Sequence, residues 1–60
     1  MIAREDIGAA ILEYRGQHQI TQIEMANLCN VSVQTLNSVE NGRQIPSKLT
    51  AAKISKVIEN

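Results

Sequence analysis

The residues best placed to do chemistry in this 60-residue chain are Val33, Gln34, Thr35, Asn37 and Ser38. They fall within one short helical segment, and all are small or amide-bearing and uncharged. A carboxamide holds a donor and an acceptor side by side. Gln34 and Asn37 can therefore each contact an adenine edge at two points, while Val33 and Thr35 can pack against a thymine methyl. The competing reading is a solvated face of ordinary amides and, for Val33, an apolar residue that covers a turn. Uncharged side chains of this kind suit base edges better than simple solvation.

The stretch 20–42 must position these residues. Thr21 followed by Glu24 forms a capping box, which starts a short helix carrying Met25, Ala26, Leu28 and Cys29. Asn30 can adopt a left-handed backbone, and Ser32 is placed as the next N-cap. A second helix then runs through Leu36 and Val39 and stops at Asn41 and Gly42. The apolar positions are Ile20, Met25, Ala26, Leu28 and Cys29 in the first, and Val31, Leu36 and Val39 in the second. Ala26 is small because two helices crossing steeply over a short turn leave no room for more.

The flanking chain supplies the support. Residues 1–3 read as a frayed end, and Arg4, Glu5 and Asp6 open a helix with acids at its positive end. Ile7, Ala10, Ile11 and Tyr14 form its apolar stripe. Gly8 either lets another helix approach closely or marks a loosened first turn. Gly16 lies in the last turn, with Gln17, His18 and Gln19 as a polar link. Arg43, Gln44, Ile45 and Pro46 form a loop, and Ser47 caps a last helix whose inward stripe is Ala51, Ile54, Ser55 and Ile58. Leu49 lies off that stripe, either exposed or in an interface.

Composition narrows the function. The core is aliphatic, since Tyr14 is the sole aromatic residue, and helix formers favour an all-α domain over disorder. Net charge is zero, which argues mildly against nucleic acid. It is unevenly spread, however. Residues 1–30 carry two basic and four acidic side chains, and residues 31–60 carry four basic and two acidic, leaving a local positive field in the second half. One cysteine excludes an intrachain disulfide, which fits a reducing cytosol. No apolar run approaches the ~20 residues that span a bilayer, and no signal sequence is evident. A soluble, cytoplasmic protein with no membrane contact is expected. Cys29 reads as a small buried hydrophobe rather than a redox switch. His18 and Cys29 make no metal site, and the serines, His18 and Asp6 have no triad spacing. No catalytic residue, metal or cofactor is therefore expected, and the chain does not read as an enzyme.

Thr21-Gln22-x-Glu24-Met25-Ala26, then Val31-Ser32, then Glu40-Asn41-Gly42 with Pro46 four residues on, resembles the phage repressor and Cro-type helix-turn-helix family. These are xenobiotic-response-element-like DNA-binding domains. Arg15, six residues before Thr21, and the closing Ile54, Val57 and Ile58 fit the same family, and the likeness covers about residues 5–58. It implies a compact lambda-repressor-like bundle of four to five helices: one domain over 1–60, with the helix-turn-helix unit at about 21–40. It implies further that helix 33–40 enters the major groove of double-stranded DNA, with Val33, Gln34, Thr35, Asn37 and Ser38 at base-reading positions. Gln22, Ser32, Asn41 and Arg43 match phosphate positions, and Arg15 with Glu40 matches a structural ion pair. The activity implied is sequence-specific transcriptional regulation, as a repressor on a palindromic operator. The protein would act as a homodimer, formed in solution or only on DNA.

Asn30 stands where the family prefers glycine, Asn37 where many members carry serine, and many members continue into a fifth helix. The alternative function is a protein-interaction module, or the antitoxin of a toxin–antitoxin pair that binds its own operator. Neutral charge and the off-stripe Leu49, with Ile45 near it, favour a protein partner.

Overall fold

The structure, a computed structural model, describes residues 2–60. A one-turn 3-10 helix, Arg4–Asp6, leads into α1 (Ile7–His18). There follow α2 (Gln22–Cys29), α3 (Val33–Glu40) and α4 (Lys48–Ile58), with no strand among the described residues. The fold is all-α.

The helix starts are set by side-chain caps. Thr21 Oγ1 accepts from Glu24 N at 3.1 Å, and Glu24 Oε1 accepts from Thr21 N at 2.8 Å. Ser32 and Ser47 cap α3 and α4 by accepting from Thr35 N and Thr50 N at 3.0 and 3.2 Å. The stops of α1, α2 and α3 share one device. Gln19, Asn30 and Gly42 take left-handed backbones, with φ of 53°, 57° and 71°. The next N–H in each case reaches back five residues, Ile20 to Arg15, Val31 to Ala26 and Arg43 to Ser38. That bond satisfies a carbonyl the helix would otherwise leave orphaned.

The buried core joins Ile7 and Ile11 of α1, Met25, Ala26 and Cys29 of α2, Leu36 and Val39 of α3, and Ala51 and Ile54 of α4. Pro46 is fully buried beside them. α1 packs on α3 and α4, and α2 packs on the same two helices. Of the two roles open to Gly8, the close approach is the one observed. A methyl there would overlap the carbonyl oxygen of Val39 and come within 3.3 Å of its carbonyl carbon, so α1 and α3 touch backbone to backbone.

Four details differ from the sequence reading. Arg4, Glu5 and Asp6 form a 3-10 turn rather than the first α-helical turn. Gln17 and His18 are helical, not a link, because Tyr14 and His18 stack one helical turn apart with ring centroids 4.0 Å apart. The stop falls instead at Gln19. Leu28 is 56% exposed, since α2 buries the face of Met25, Ala26 and Cys29 and position 28 lies beyond its edge. In the segment read as frayed, Met1 lies outside the described residues, while Ile2 is half-buried against the core. Leu49, at 68% exposure, and Ile45, at 63%, face solvent.

Candidate nucleic-acid interface

α2 and α3 are separated by residues 30–32, and the tightness of that turn follows from Asn30. Its left-handed backbone ends α2, and Ser32 starts α3 two residues later. Lys53 of α4 donates to the Asn30 carbonyl at 3.4 Å, tying the turn to the last helix. No sequence signal pointed to that contact.

α3 buries Leu36 and Val39. Helical spacing then turns Gln34, Asn37, Ser38 and Asn41 to the opposite side, with Val33 and Thr35 flanking them. Val33 is 39% exposed, Gln34 and Asn41 are exposed, and Thr35, Asn37 and Ser38 are half-buried. The first turn of α3 contains no acid, whereas α2 has Glu24 in its own. The positive end of the α3 dipole is therefore uncompensated, next to Val33 and Gln34. Arg43 is exposed in the loop beyond α3. Ser32 is occupied by capping: besides accepting from Thr35 N, its hydroxyl donates to Thr35 Oγ1 at 2.8 Å.

Behind this face a polar network joins three helices. Arg15 Nη1 donates to Glu40 Oε1 at 2.9 Å, and Gln22 Nε2 donates to the same oxygen at 2.9 Å. Asn37 Nδ2 donates to Gln22 Oε1 at 3.3 Å, and Asn41 Nδ2 donates to Asn37 Oδ1 at 3.1 Å. Arg15 Nε also donates to the Ile20 carbonyl at 3.2 Å. The Glu40 side chain is only 4% exposed and that of Arg15 24%. A carboxylate this buried requires partners, and the Arg15 cation with the Gln22 amide supplies them at one of its two oxygens. Gln22, Asn37, Asn41, Arg15 and Glu40 thus meet in one cluster. Gln34, Ser38 and Arg43 stand outside it.

The other chemistry is sparse. Burial pushes the Cys29 thiol up from its ordinary 9.0, away from the reactive thiolate. No group of three or more His, Cys, Asp or Glu able to hold a metal occurs among the described residues. No helix there is long and apolar enough to cross a membrane. The main clefts are lined from the N-terminal segment, α1, α2, the α2–α3 turn and α4 rather than from α3.

Two helices joined by a tight turn, the second exposed along a polar face and both braced by a third, define a helix-turn-helix protein. The helix-turn-helix family model matches residues 11–59. The chain is 34% identical over 58 residues to the ImmF control region 10 kDa protein of Bacillus phage phi105, covering 97% of this chain and 64% of that protein. It is 28% identical over 53 residues to multiprotein-bridging factor 1b of Arabidopsis thaliana, covering 88% and 37% respectively. The chain thus spans less than two thirds of the length of either relative. No solved structure gives a significant match. The chain belongs to the helix-turn-helix family of phage repressor and Cro-type regulators.

Proposed function

We propose that the protein is a sequence-specific double-stranded DNA-binding regulator of transcription, a repressor that lays α3 in the major groove. The observation that carries this reading is the exposed, uncharged face of α3, led by Gln34 at a helix N-terminus that no acid compensates. Gln34 reads base edges, with Val33, Thr35 and Ser38 beside it and Asn37 on the same face. Phosphates are held by Gln22, Asn41, Arg43 and the backbone N–H groups at the starts of α2 and α3, where Ser32 shapes the second. The phage relative's name, a control region protein, supports a regulatory role.

Overall dimensions of 25 × 23 × 18 Å let two copies sit side by side on one face of a duplex, one helical turn or roughly 34 Å apart. That spacing is compatible with the homodimer on a palindromic operator that we propose, formed in solution or only on DNA. Selection from random duplexes at low salt tests the reading: wild type should enrich a two-fold site, and Gln34→Ala should lose preference at one base pair of each half-site. Retention of no sequence would refute it.

A second reading, a module that binds a protein such as a toxin, is favoured by the exposure of Ile45 and Leu49 beside Lys48. A stable protein complex together with no selected duplex would decide for it.

A further inference from the structure

We infer that Glu40 sets the polarity of the amide chain running from Gln22 through Asn37 to Asn41, which makes Asn37 a positioning residue for Gln22 and not a reader of bases. The inference rests on the DNA-binding reading above.

The chemistry is directional. An ionised carboxylate only accepts hydrogen bonds, whereas a carboxamide donates from one end and accepts at the other. Gln22 Nε2 lies 2.9 Å from Glu40 Oε1, so the end of Gln22 facing Glu40 has to be its NH2 group. Its carbonyl oxygen is then turned to Asn37, whose Nδ2 donates to it at 3.3 Å. Asn37 is thereby held with Oδ1 the other way round, accepting from Asn41 Nδ2 at 3.1 Å. Gln22 takes its orientation from Glu40 and hands it to Asn37, while Asn41 Nδ2 is held in addition by the Asn37 main-chain carbonyl at 2.9 Å. The origin cannot drift, because the Glu40 side chain is 4% exposed and pinned by Arg15 at 2.9 Å. Its second oxygen is buried with no partner among the described residues, so turning the carboxylate gains no alternative bond.

Two consequences follow at the surface. Gln22 opens α2 with one N–H left over, a donor suited to a phosphate oxygen. Reversed, it would offer phosphate a carbonyl, and the two acceptors would repel. Asn37 has both ends of its amide engaged. A bidentate contact with adenine would have to use its remaining N–H and lone pair in the orientation that Gln22 and Asn41 already fix, whereas Gln34 has no hydrogen-bond partner for its side chain among the described residues and can turn to meet a base. Base reading therefore falls to Gln34 and its small neighbours, and Asn37 acts through Gln22.

The test is a double-mutant cycle on the duplex selected by wild type. Asn37→Ala and Gln22→Ala should each weaken binding about three- to tenfold, the range of one hydrogen bond. The double variant should bind no more weakly than Gln22→Ala alone. Selection with Asn37→Ala should return the wild-type sequence at every position. Additive losses, or a changed base at any position, would overturn the inference.

Side-chain amide exchange by NMR gives a readout without DNA. In Glu40→Gln the Asn37 Nδ2 protons should exchange about threefold faster or more, although Asn37 does not touch Glu40, while the buried Leu36 backbone amide keeps its protection. Unchanged Asn37 exchange overturns the relay. Should Glu40→Gln not fold, Gln22→Ala is read in the same way. If wild type selects no duplex, the DNA-binding reading fails, and the exchange measurement alone decides whether the amide chain is polarised from Glu40.

Discussion

Gly8 and Gly16 lie in the same helix, and helix propensity alone says that alanine at either stabilises the chain by ~0.5–1 kcal/mol. The structure assigns them opposite signs. At Gly16 a methyl meets nothing within 4 Å and the backbone φ is not positive, so the propensity gain stands. Gly16→Ala should raise Tm by roughly 2–8 °C, taking ~4–8 °C per kcal/mol for a domain this small. At Gly8 the methyl overlaps Val39 O, crowds Val39 C at 3.3 Å and lies 3.6 Å from Glu40 Cα. These are backbone atoms and cannot rotate aside. The one relief is separation of α1 from α3, which loosens Ile7 and Ile11 against Leu36 and Val39 and pulls on the Arg15–Glu40 pair. Overpacking of this kind costs ~1–3 kcal/mol. Set against the propensity gain of ~0.5–1 kcal/mol, Gly8→Ala should lose up to about 2.5 kcal/mol net, a fall in Tm of up to roughly 20 °C. Circular-dichroism melts of the two variants beside wild type read both signs at once. A Gly8→Ala protein that melts at or above wild type would refute the claim that backbone contact sets the α1–α3 spacing. Equal falls in both variants would refute it as well.

Arg15→Ala leaves the Glu40 carboxylate with Gln22 alone. Because Arg15 is itself a quarter exposed, the loss should be about 1–3 kcal/mol by urea denaturation rather than the larger figure of a fully buried pair; an unchanged midpoint would count against α1 bracing the end of α3. Gln19 holds φ 53° with a side chain that resists it, so Gln19→Gly should stabilise by ~0.5–1 kcal/mol in calorimetry. The raised Cys29 thiol keeps its proton in the folded state where the unfolded chain releases it. Its contribution is therefore complete below the ordinary 9.0 and is lost as pH rises beyond that value. The stability gap between wild type and Cys29→Ala should narrow above about pH 9, and a constant gap would contradict the burial argument. With one exposed arginine just past α3, binding should release fewer than ~8 counterions per chain. A log affinity–log salt slope steeper than about −7 per protomer would show a larger cationic surface.

Much of the fold was legible because its signals are local. Thr21 with Glu24, Ser32 and Ser47 each carry a capping chemistry that acts within one turn, and the structure starts α2, α3 and α4 there. Asn30 was readable as a left-handed stop for the same reason. Gln19 was not, since glutamine has no special ease in that conformation and is forced into it where Ile20 turns to pack against the core. Leu28 misled because an eight-residue helix offers too few turns for periodicity to separate a core position from its neighbour.

The candidate site divides along the same line. Sequence pattern picked out the uncharged face of helix 33–40, and the family likeness paired Arg15 with Glu40. Neither could join Gln22 to Asn37, which lie 15 positions apart on different helices and meet at 3.3 Å, nor bring Lys53 to Asn30.

Sequence by itself thus determined where the helices of the 20–42 stretch begin and end, and which side of the last one is polar. Caps, turn residues and apolar spacing act over a few residues and require no partner. Tertiary structure decided the distance between α1 and α3, through a contact at Gly8 that only a packed backbone can make. It also decided which amides on the polar face are free to meet a partner and which are already bound, because a hydrogen bond between helices exists only once the core has brought them together.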